Sequence, residues 1–398
     1  MPEQIIKRKS RGFICVNAHP EGCRQNVVRQ IAAITSQTQS PRTGLGNVVV
    51  IGASTGYGLA SRIAAAWGFG ARTLGIFFER PPEGAKTASA GYYNSAAFHE
   101  FARRDNLFAA SLNVDAFSDG AKQQATEIIR REMAPVDLVI YSLASPRRVH
   151  PRTGEVFNSV LKPVGQAFTN KTIDLDIGKV VPVTLEPATV KEIADTVAVM
   201  GGEDWEMWTD ALLAEGLLAP GARTLAYSYI GPAVTWPIYR DGTIGQAKKD
   251  VDAAAKRINS KLNAKLGGRA WVSVNKAVVT QASSAIPVVP LYLSLLPPAL
   301  RARRLDEGPI EQMRRLFFDY LSEGANIKTD DAGRIRLDDR EMRADVQSDI
   351  TRLWPQVTTE NLREITAYNE FQREFRSLFG FEVEGVDYDA PVETDVKI

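Results

Sequence analysis

The sequence predicts an α/β fold built on a doubly wound parallel sheet, with insertions and a mostly helical C-terminal extension. Three observations predict it. Val48 to Ile51 is a short β-branched run that gives way to a loop punctuated by Gly52, Gly56 and Gly58. Leu59, Ile63 and Trp67 then recur at helical spacing, with Ala60 and Ala64 beside them. Strand and helix patterns alternate from there to about Ala144, the rhythm of parallel strands joined by crossover helices. Such a sheet binds ligands beyond the carboxyl ends of its strands, where Gly52, Glu79, Asp115 and Ala144 would gather.

Residues 1–41 precede the first strand as an N-terminal extension. Gly12 to Val16 reads as an edge strand, and Glu21 to Gln37 as a helix with Val27, Val28, Ile31 and Ile34 at helical intervals. Cys15, His19 and Cys23 have a spacing that suggests a metal site. Pro20 interrupts them and no fourth Cys or His is near, whereas structural zinc takes four ligands. Buried thiols and no metal are expected. In the glycine loop, small residues let the backbone turn tightly and let phosphate oxygens reach its N–H groups. The following helix N-terminus adds partial positive charge, so a dinucleotide is the expected ligand.

Thr73 to Phe78 is the second strand and leads into Glu79. A carboxylate about 20 residues after the glycine loop suits the ribose 2′-hydroxyl of NAD and repels the extra phosphate of NADP. Arg80 softens that preference, and a solvated strand end is the other reading of Glu79. Pro81 to Gly91 is a loop, and Asn94 to Arg104 is a helix. Leu107 to Val114 is the third strand, leading to Asp115 and Ala116. Ser118 caps a helix to about Met133, and Val136 to Ala144 is the fourth strand.

The rhythm changes at Arg147. Residues 147–220 read as an insertion, with a small strand pair around Val180 to Leu185. Lys191 to Leu218 is helical in two pieces broken at Gly201-Gly202, with Trp205 and Trp208 filling the core. Arg147, Arg148 and Arg152 form a basic cluster that either meets phosphates or is simply solvated. Arg223 to Ile230 is a fifth strand. A helix follows from Thr243–Gly245 to about Leu266, and Trp271 to Thr280 is a sixth strand with its exit. Leu291 to Leu296 lies between prolines and lines an acyl pocket or fills the core. Helices follow from Glu311, with a hairpin at Ile327 to Leu337, and no catalytic constellation stands out after residue 300. The expected organisation is one Rossmann-type domain over residues 1–398. The N-terminal extension, the insertion and a C-terminal extension of residues 300–398 pack on it.

The chain has 398 residues, 44% hydrophobic, with a formal charge of +1. That balance gives no electrostatic footprint for nucleic acid or an anionic membrane. Two cysteines imply no disulfide framework, and no apolar run is long enough to span a bilayer or resembles a signal peptide. A reducing cytoplasm is the expected compartment.

Tyr239 and Lys248 are the candidate catalytic pair. A nicotinamide reductase needs no nucleophile from the protein, because the cofactor supplies hydride. It needs a donor to the carbonyl oxygen where charge develops, and a proton source. A tyrosine serves both needs if a nearby ammonium lowers its pKa. On one continuous helix their spacing would place the two side chains about 180° apart. Tyr239 is therefore expected in the loop before the helix, with Asp241-Gly242 as the turn. Lys249 competes with Lys248 on spacing, and a packed aromatic with a solvated lysine fits the same residues.

The glycine spacing resembles that of short-chain dehydrogenases and reductases. The whole sequence resembles the FabV-type enoyl-acyl-carrier-protein reductases and the related NADH-dependent trans-2-enoyl-CoA reductases. The matching stretches are Gly12 to Cys15, His19 to Cys23, Gly52 to Ala60, Gly91 to Asn94 and Asp115 to Ser118. Tyr141 to Pro146, Val199 to Trp205, Ala226 to Gly231 and the Tyr239–Lys248 spacing also match. The resemblance implies Tyr239 as proton donor, Lys248 as cofactor ligand and Tyr229 as a contact of the acyl thioester. It puts Gly52, Ala53, Ser54, Thr55, Gly56 and Tyr57 at the pyrophosphate, and Phe78 and Glu79 at the adenosine ribose. Asp115 and Ala116 fall near adenine, Leu143 and Ala144 near the ribose, and Val278, Val279 and Thr280 face the nicotinamide. The implied reaction is NADH-dependent reduction of a trans-2-enoyl thioester on CoA or acyl carrier protein, by a monomer, in fatty acid biosynthesis. A 3-ketoacyl thioester reductase is the main alternative, with a nucleotide-sensing module that turns nothing over and a purely structural interaction protein as the others.

Overall fold

The computed structural model describes residues 3–37 and 40–398. Residues 1–2 and 38–39 of the expected N-terminal extension lie outside the described residues. Seven strands form the central sheet: β1 Asn47–Ile51, β2 Arg72–Phe77, β3 Ala109–Asn113, β4 Val136–Tyr141, β5 Leu218–Ser228, β6 Arg269–Val274 and β7 Ile335–Arg336. Their order is β7-β6-β5-β4-β1-β2-β3, and every pairing is parallel. The chain runs outward from β1 to β3, then returns to lay β4 on the other side of β1. The crevice above β1 and β4 is therefore the switch point where such sheets bind ligands.

Side chains alternate across the sheet, as its pleat requires. Val48, Val50, Leu138 and Ile140 face one layer, with helices α1 (Pro20–Thr35), α2 (Gly56–Phe69) and α3 (Ala90–Arg104). Val49, Ile51 and Val139 face the other, with α4 (Asp119–Glu132), α6 (Glu203–Ala214) and α7 (Thr243–Leu266). Trp205 and Trp208 fill that second layer and are fully buried. Between α4 and α6 lie two antiparallel hairpins, Arg147–Val149 with Val156–Asn158 and Phe168–Asp174 with Lys179–Leu185, followed by α5 (Val190–Met200). A third apolar cluster is built on α8 (Val289–Arg301) and joins Cys15, Cys23 and Ile173 to Phe371 and Phe375 of the C-terminal helix Tyr368–Ser377. Among the described residues, no helix is long and apolar enough to cross a membrane.

Several expectations need correcting. Gly12 to Val16 is not an edge strand of the main sheet. Ser10–Arg11 pairs with Ile14–Cys15 as a separate two-stranded ladder. Leu217 and Leu218 do not extend a helix, because α6 gives way at Glu215 to Gly216 at φ +64°. β5 starts at Leu218, and its pairing with β4 shifts register before Arg223. Ile327 to Leu337 is not a hairpin. Ile335–Arg336 pairs parallel with β6 as the seventh strand. Of the two readings of Leu291 to Leu296, core filling holds: the stretch lies inside α8 and every residue of it is buried, which removes the amphipathic pattern that marks a helix. Arg148 is neither solvated nor free for phosphate. It is buried and pairs with Glu203 at 2.7 Å.

Candidate active site

The glycine loop follows β1 and is shaped by close approaches. A Cβ on Gly52, at φ +85°, would meet Ser142 O at 2.1 Å, and one on Gly58 would meet Gly52 O at 1.9 Å. Only glycine lets the β1 and β4 exits and the first turn of α2 lie this close. Thr55 is the N-cap of α2 without a side-chain cap bond, and the first turn holds no acidic residue. The amide ends of α2 therefore face the crevice with their partial positive charge uncompensated by a side chain. Ala53 and Ser54 are buried below, while Gly56 and Tyr57 are half-buried.

Glu79 is held against this loop. Its carboxylate accepts from Ser54 Oγ at 2.7 Å and Ser89 Oγ at 2.5 Å. Its backbone is clamped by both ends of the Asn113 amide. Phe78 beside it is 79% exposed. Asp115 is exposed and caps Phe117 N, while Ala116 O accepts from Lys122 Nζ and Trp208 Nε1. Lys122 pairs in turn with buried Asp204 at 2.8 Å, whose carboxyl burial pushes up. Leu143 and Ala144 follow β4 beside Gly52.

Val278, Val279 and Thr280 lie on the exit of β6, where Thr280 Oγ1 caps a short turn by accepting from Ser283 N. Sequence reasoning missed how this exit is fixed to the glycine loop. Tyr57 OH donates to Lys276 O at 2.7 Å and accepts from Gln312 Nε2 at 2.7 Å. Gln312 Oε1 takes Lys276 N at 3.0 Å, which closes the bracket. Gln312 is fully buried and stands in the short helix Pro309–Arg315, where nothing local marks it.

Tyr239 lies in the turns before α7, as the spacing required. Its N–H bonds back to Thr235 O at 2.9 Å, and α7 starts at Thr243 with Gly242 as N-cap. The segment crosses the first turn of α7 over Gly245, where a Cβ would sit 1.9 Å from Arg240 O. Tyr239 meets Tyr229 edge to face, with ring centroids 4.8 Å apart. Lys248 Nζ donates to Tyr227 O at 3.2 Å, so both candidates gather at the end of β5. Lys249, the competitor, is exposed.

One electrostatic expectation is overturned. The Tyr239 hydroxyl is not lowered by the lysine. Burial, then the Glu341 carboxylate, push it up to about 12. Burial also lowers Lys248 to about 8, with Asp252 opposing the fall. Glu341 is a second residue missed by sequence. It is fully buried and accepts from Tyr229 OH at 2.9 Å, Tyr292 OH at 2.6 Å and Ala277 N at 2.8 Å. It sits in the charged run Asp338 to Glu341, where nothing local marks it. His19 is an N-cap that accepts from Gly22 N, and among the described residues no group of three or more His, Cys, Asp or Glu side chains is placed to hold a metal.

A family model described as the trans-2-enoyl-CoA reductase catalytic region matches residues 86–322. The chain belongs to this family. Two further models of these reductases match, an NAD(P)H binding domain over residues 5–84 and an FAD binding domain over residues 329–392. An enoyl-acyl-carrier-protein reductase (NADH) from Coxiella burnetii is 53% identical over 395 residues, covering 99% of this chain and 97% of that protein. A trans-2-enoyl-CoA reductase (NADH) from Ruminiclostridium cellulolyticum is 53% identical over 394 residues, covering 99% of both. The Treponema denticola trans-2-enoyl-CoA reductase, solved with NAD, superposes with a TM-score of 0.94 at 45% identity, covering 99% of this chain and 100% of that one.

The segment matched by the third model holds Glu370, Phe371 and Glu374 of the C-terminal helix. Residues from that segment line a cavity of about 330 Å³ with the β6 exit and the end of α8. Its walls carry Asp306, Glu307, Glu311, Glu370 and Glu374 against Lys276 and Arg301. Glu307 is paired with Arg315 and Arg340, and Glu370 with Arg301. The apolar side chains of the segment are spent on the third cluster.

Proposed function

We propose that this chain reduces trans-2-enoyl thioesters to saturated acyl thioesters with NADH, the acyl group being carried by CoA or acyl carrier protein. It works as a monomer in the cytoplasm. The observation that carries the reading is the Tyr239 hydroxyl. Of the two phenols packed together at the end of β5, Tyr229 is bonded to Glu341, whereas the Tyr239 hydroxyl has no hydrogen bond among the described residues. A half-buried phenol with a free O–H is a donor waiting for an acceptor.

The glycine cradle supports a dinucleotide. Gly52, Ala53, Ser54, Thr55, Gly56 and Tyr57 hold the pyrophosphate on the amide end of α2. Phe78 and Glu79 flank the adenosine ribose, Asp115 and Ala116 the adenine, and Leu143 and Ala144 the other side of the crevice. Val278, Val279 and Thr280 back the nicotinamide, and Lys248 binds ribose hydroxyls. Bound NADH supplies the hydride to the β-carbon of the enoyl group. Negative charge then develops on the thioester oxygen. Tyr239 O–H, a neutral phenol with a raised pKa, hydrogen-bonds that oxygen and gives its proton to the enolate, which carries it on the α-carbon in the saturated product. Tyr229 packs beside the acyl thioester.

The test is NADH oxidation with C4 to C12 enoyl thioesters on both carriers. Crotonyl-CoA should turn over and acetoacetyl-CoA should not, and the reverse would make the chain a ketoreductase. Tyr239→Phe should lower kcat by about 10²-fold or more while NADH affinity stays near that of the wild type. Unimpaired turnover in that variant removes Tyr239 from the chemistry.

A further inference from the structure

We infer that Glu341 is a positioning residue that decides which of the two neighbouring phenols is the donor, by taking the Tyr229 proton into a hydrogen bond and leaving Tyr239 free. The inference rests on the reductase reading and adds to it a residue from the C-terminal extension.

Hydrogen-bond directions fix the argument. Ala277 N can only donate, so Glu341 Oε2 accepts there. Tyr292 OH accepts from Gln347 Nε2 at 3.2 Å, so its own proton goes to Glu341 Oε1 at 2.6 Å. Tyr229 OH lies 2.9 Å from the same Oε1. An ionised carboxylate is an acceptor only, so it must take the Tyr229 proton. A protonated carboxyl could instead donate to the Tyr229 oxygen and release that proton. Burial pushes the Glu341 carboxyl up, while the three donors around it and the positive charge of Lys276 oppose that rise by favouring the ionised form. Tyr229 is thereby held edge to face against Tyr239 with its O–H engaged. The other oxygen pins Ala277, one residue before the segment assigned to the nicotinamide. One side chain thus sets the substrate wall and the cofactor wall together.

Glu341→Gln imitates the protonated carboxyl. The amide oxygen still accepts from Ala277 N, and the amide nitrogen donates toward the phenols. Tyr229 is then free to compete with Tyr239 for the thioester oxygen. We expect kcat to fall about tenfold, with the NADH dissociation constant held within about twofold. A merely structural role would act whether or not Tyr229 has a hydroxyl. The double-mutant cycle separates the two. In a Tyr229→Phe background, Glu341→Gln should change kcat by less than about twofold. Tyr229→Phe alone keeps the ring, and its loss of kcat should stay well below that of Tyr239→Phe, a comparison that stands even if the glutamine variant fails to fold. An unchanged kcat in Glu341→Gln, an additive cycle, or a Tyr229→Phe loss as large as that of Tyr239→Phe overturns the inference. An inactive wild type overturns the reductase reading and this inference with it, whereas an active wild type with an additive cycle overturns this inference alone.

Discussion

Burial holds the Lys248 ammonium at a pKa of about 8 against its ordinary 10.5, and Asp252 is the charge that resists the fall. In the proposed role the charged form binds the cofactor ribose. Cofactor capture by the free enzyme, read as kcat/KM for NADH, should therefore decline as pH rises through about 8. Asp252→Asn removes the charge that raises the lysine, so the declining limb should move to lower pH. A limb that stays in place would detach either residue from cofactor binding. Stability moves the other way. The folded pKa lies below the unfolded one, so the unfolded chain binds more protons between about 8 and 10.5. The contribution of Lys248 to stability is fully present above 10.5 and is lost as pH falls through about 8. Thermal melts across that window should show this group's share of stability rising while cofactor capture falls. Tyr239, raised to about 12, stays neutral throughout and adds nothing to the limb.

The element that places Tyr239 is the start of α7. The Tyr239–Arg240 segment rests on Gly245, and an added Cβ would sit 1.9 Å from Arg240 O and 2.6 Å from Tyr239 O. Both atoms are backbone, so Gly245→Ala must lift the segment off the helix. A displacement of about 1 Å at a catalytic group costs up to about 10²-fold in rate, so kcat should fall steeply while binding at the distant glycine loop persists. Gly120→Ala on α4, where a Cβ meets nothing within 4 Å, is the control and should leave kcat unchanged. A Gly245→Ala enzyme of normal kcat would mean the segment finds its place without α7. The sequence made this junction legible through the Asp241-Gly242 turn and the helix that follows. It also made β1 to β4 legible, because short apolar runs such as Val48 to Ile51, buried on both faces, alternate with helical patterns along the chain. Other elements left no local mark. β7 is two residues long and gains its place only by pairing with β6. Leu291 to Leu296 of α8 are buried on every side, so that stretch shows no polar face. Glu341 and Gln312 act through partners 36 to 255 residues away, beyond the reach of any pattern in the neighbouring sequence.

At the scale of the whole molecule, the three matched segments, residues 5–84, 86–322 and 329–392, do not have three separate cores. The third cluster takes Cys15 and Cys23 from the first, Ile173, Ile238 and Leu291 from the second, and Phe371 and Phe375 from the third. Phe375 touches Phe13 with ring centroids 5.6 Å apart, so the last helix closes on the first residues of the chain. Val48 and Met313 likewise share the layer over the sheet. We therefore propose that the chain is one domain and unfolds as one. Phe375→Ala should cost about 3–5 kcal/mol through lost burial and an unfilled cavity. Because the cluster reaches the Tyr229–Glu341 contact through Tyr292, that loss should be felt at the site as well as at the end of the chain. Heating the variant should give a single calorimetric transition at a lower temperature, with NADH binding and helical signal lost together. Two transitions, with NADH binding surviving the first, would make the C-terminal extension an independent unit. The site would then lose Glu341 in a step of its own, and turnover would fall at the first transition while the cofactor remained bound.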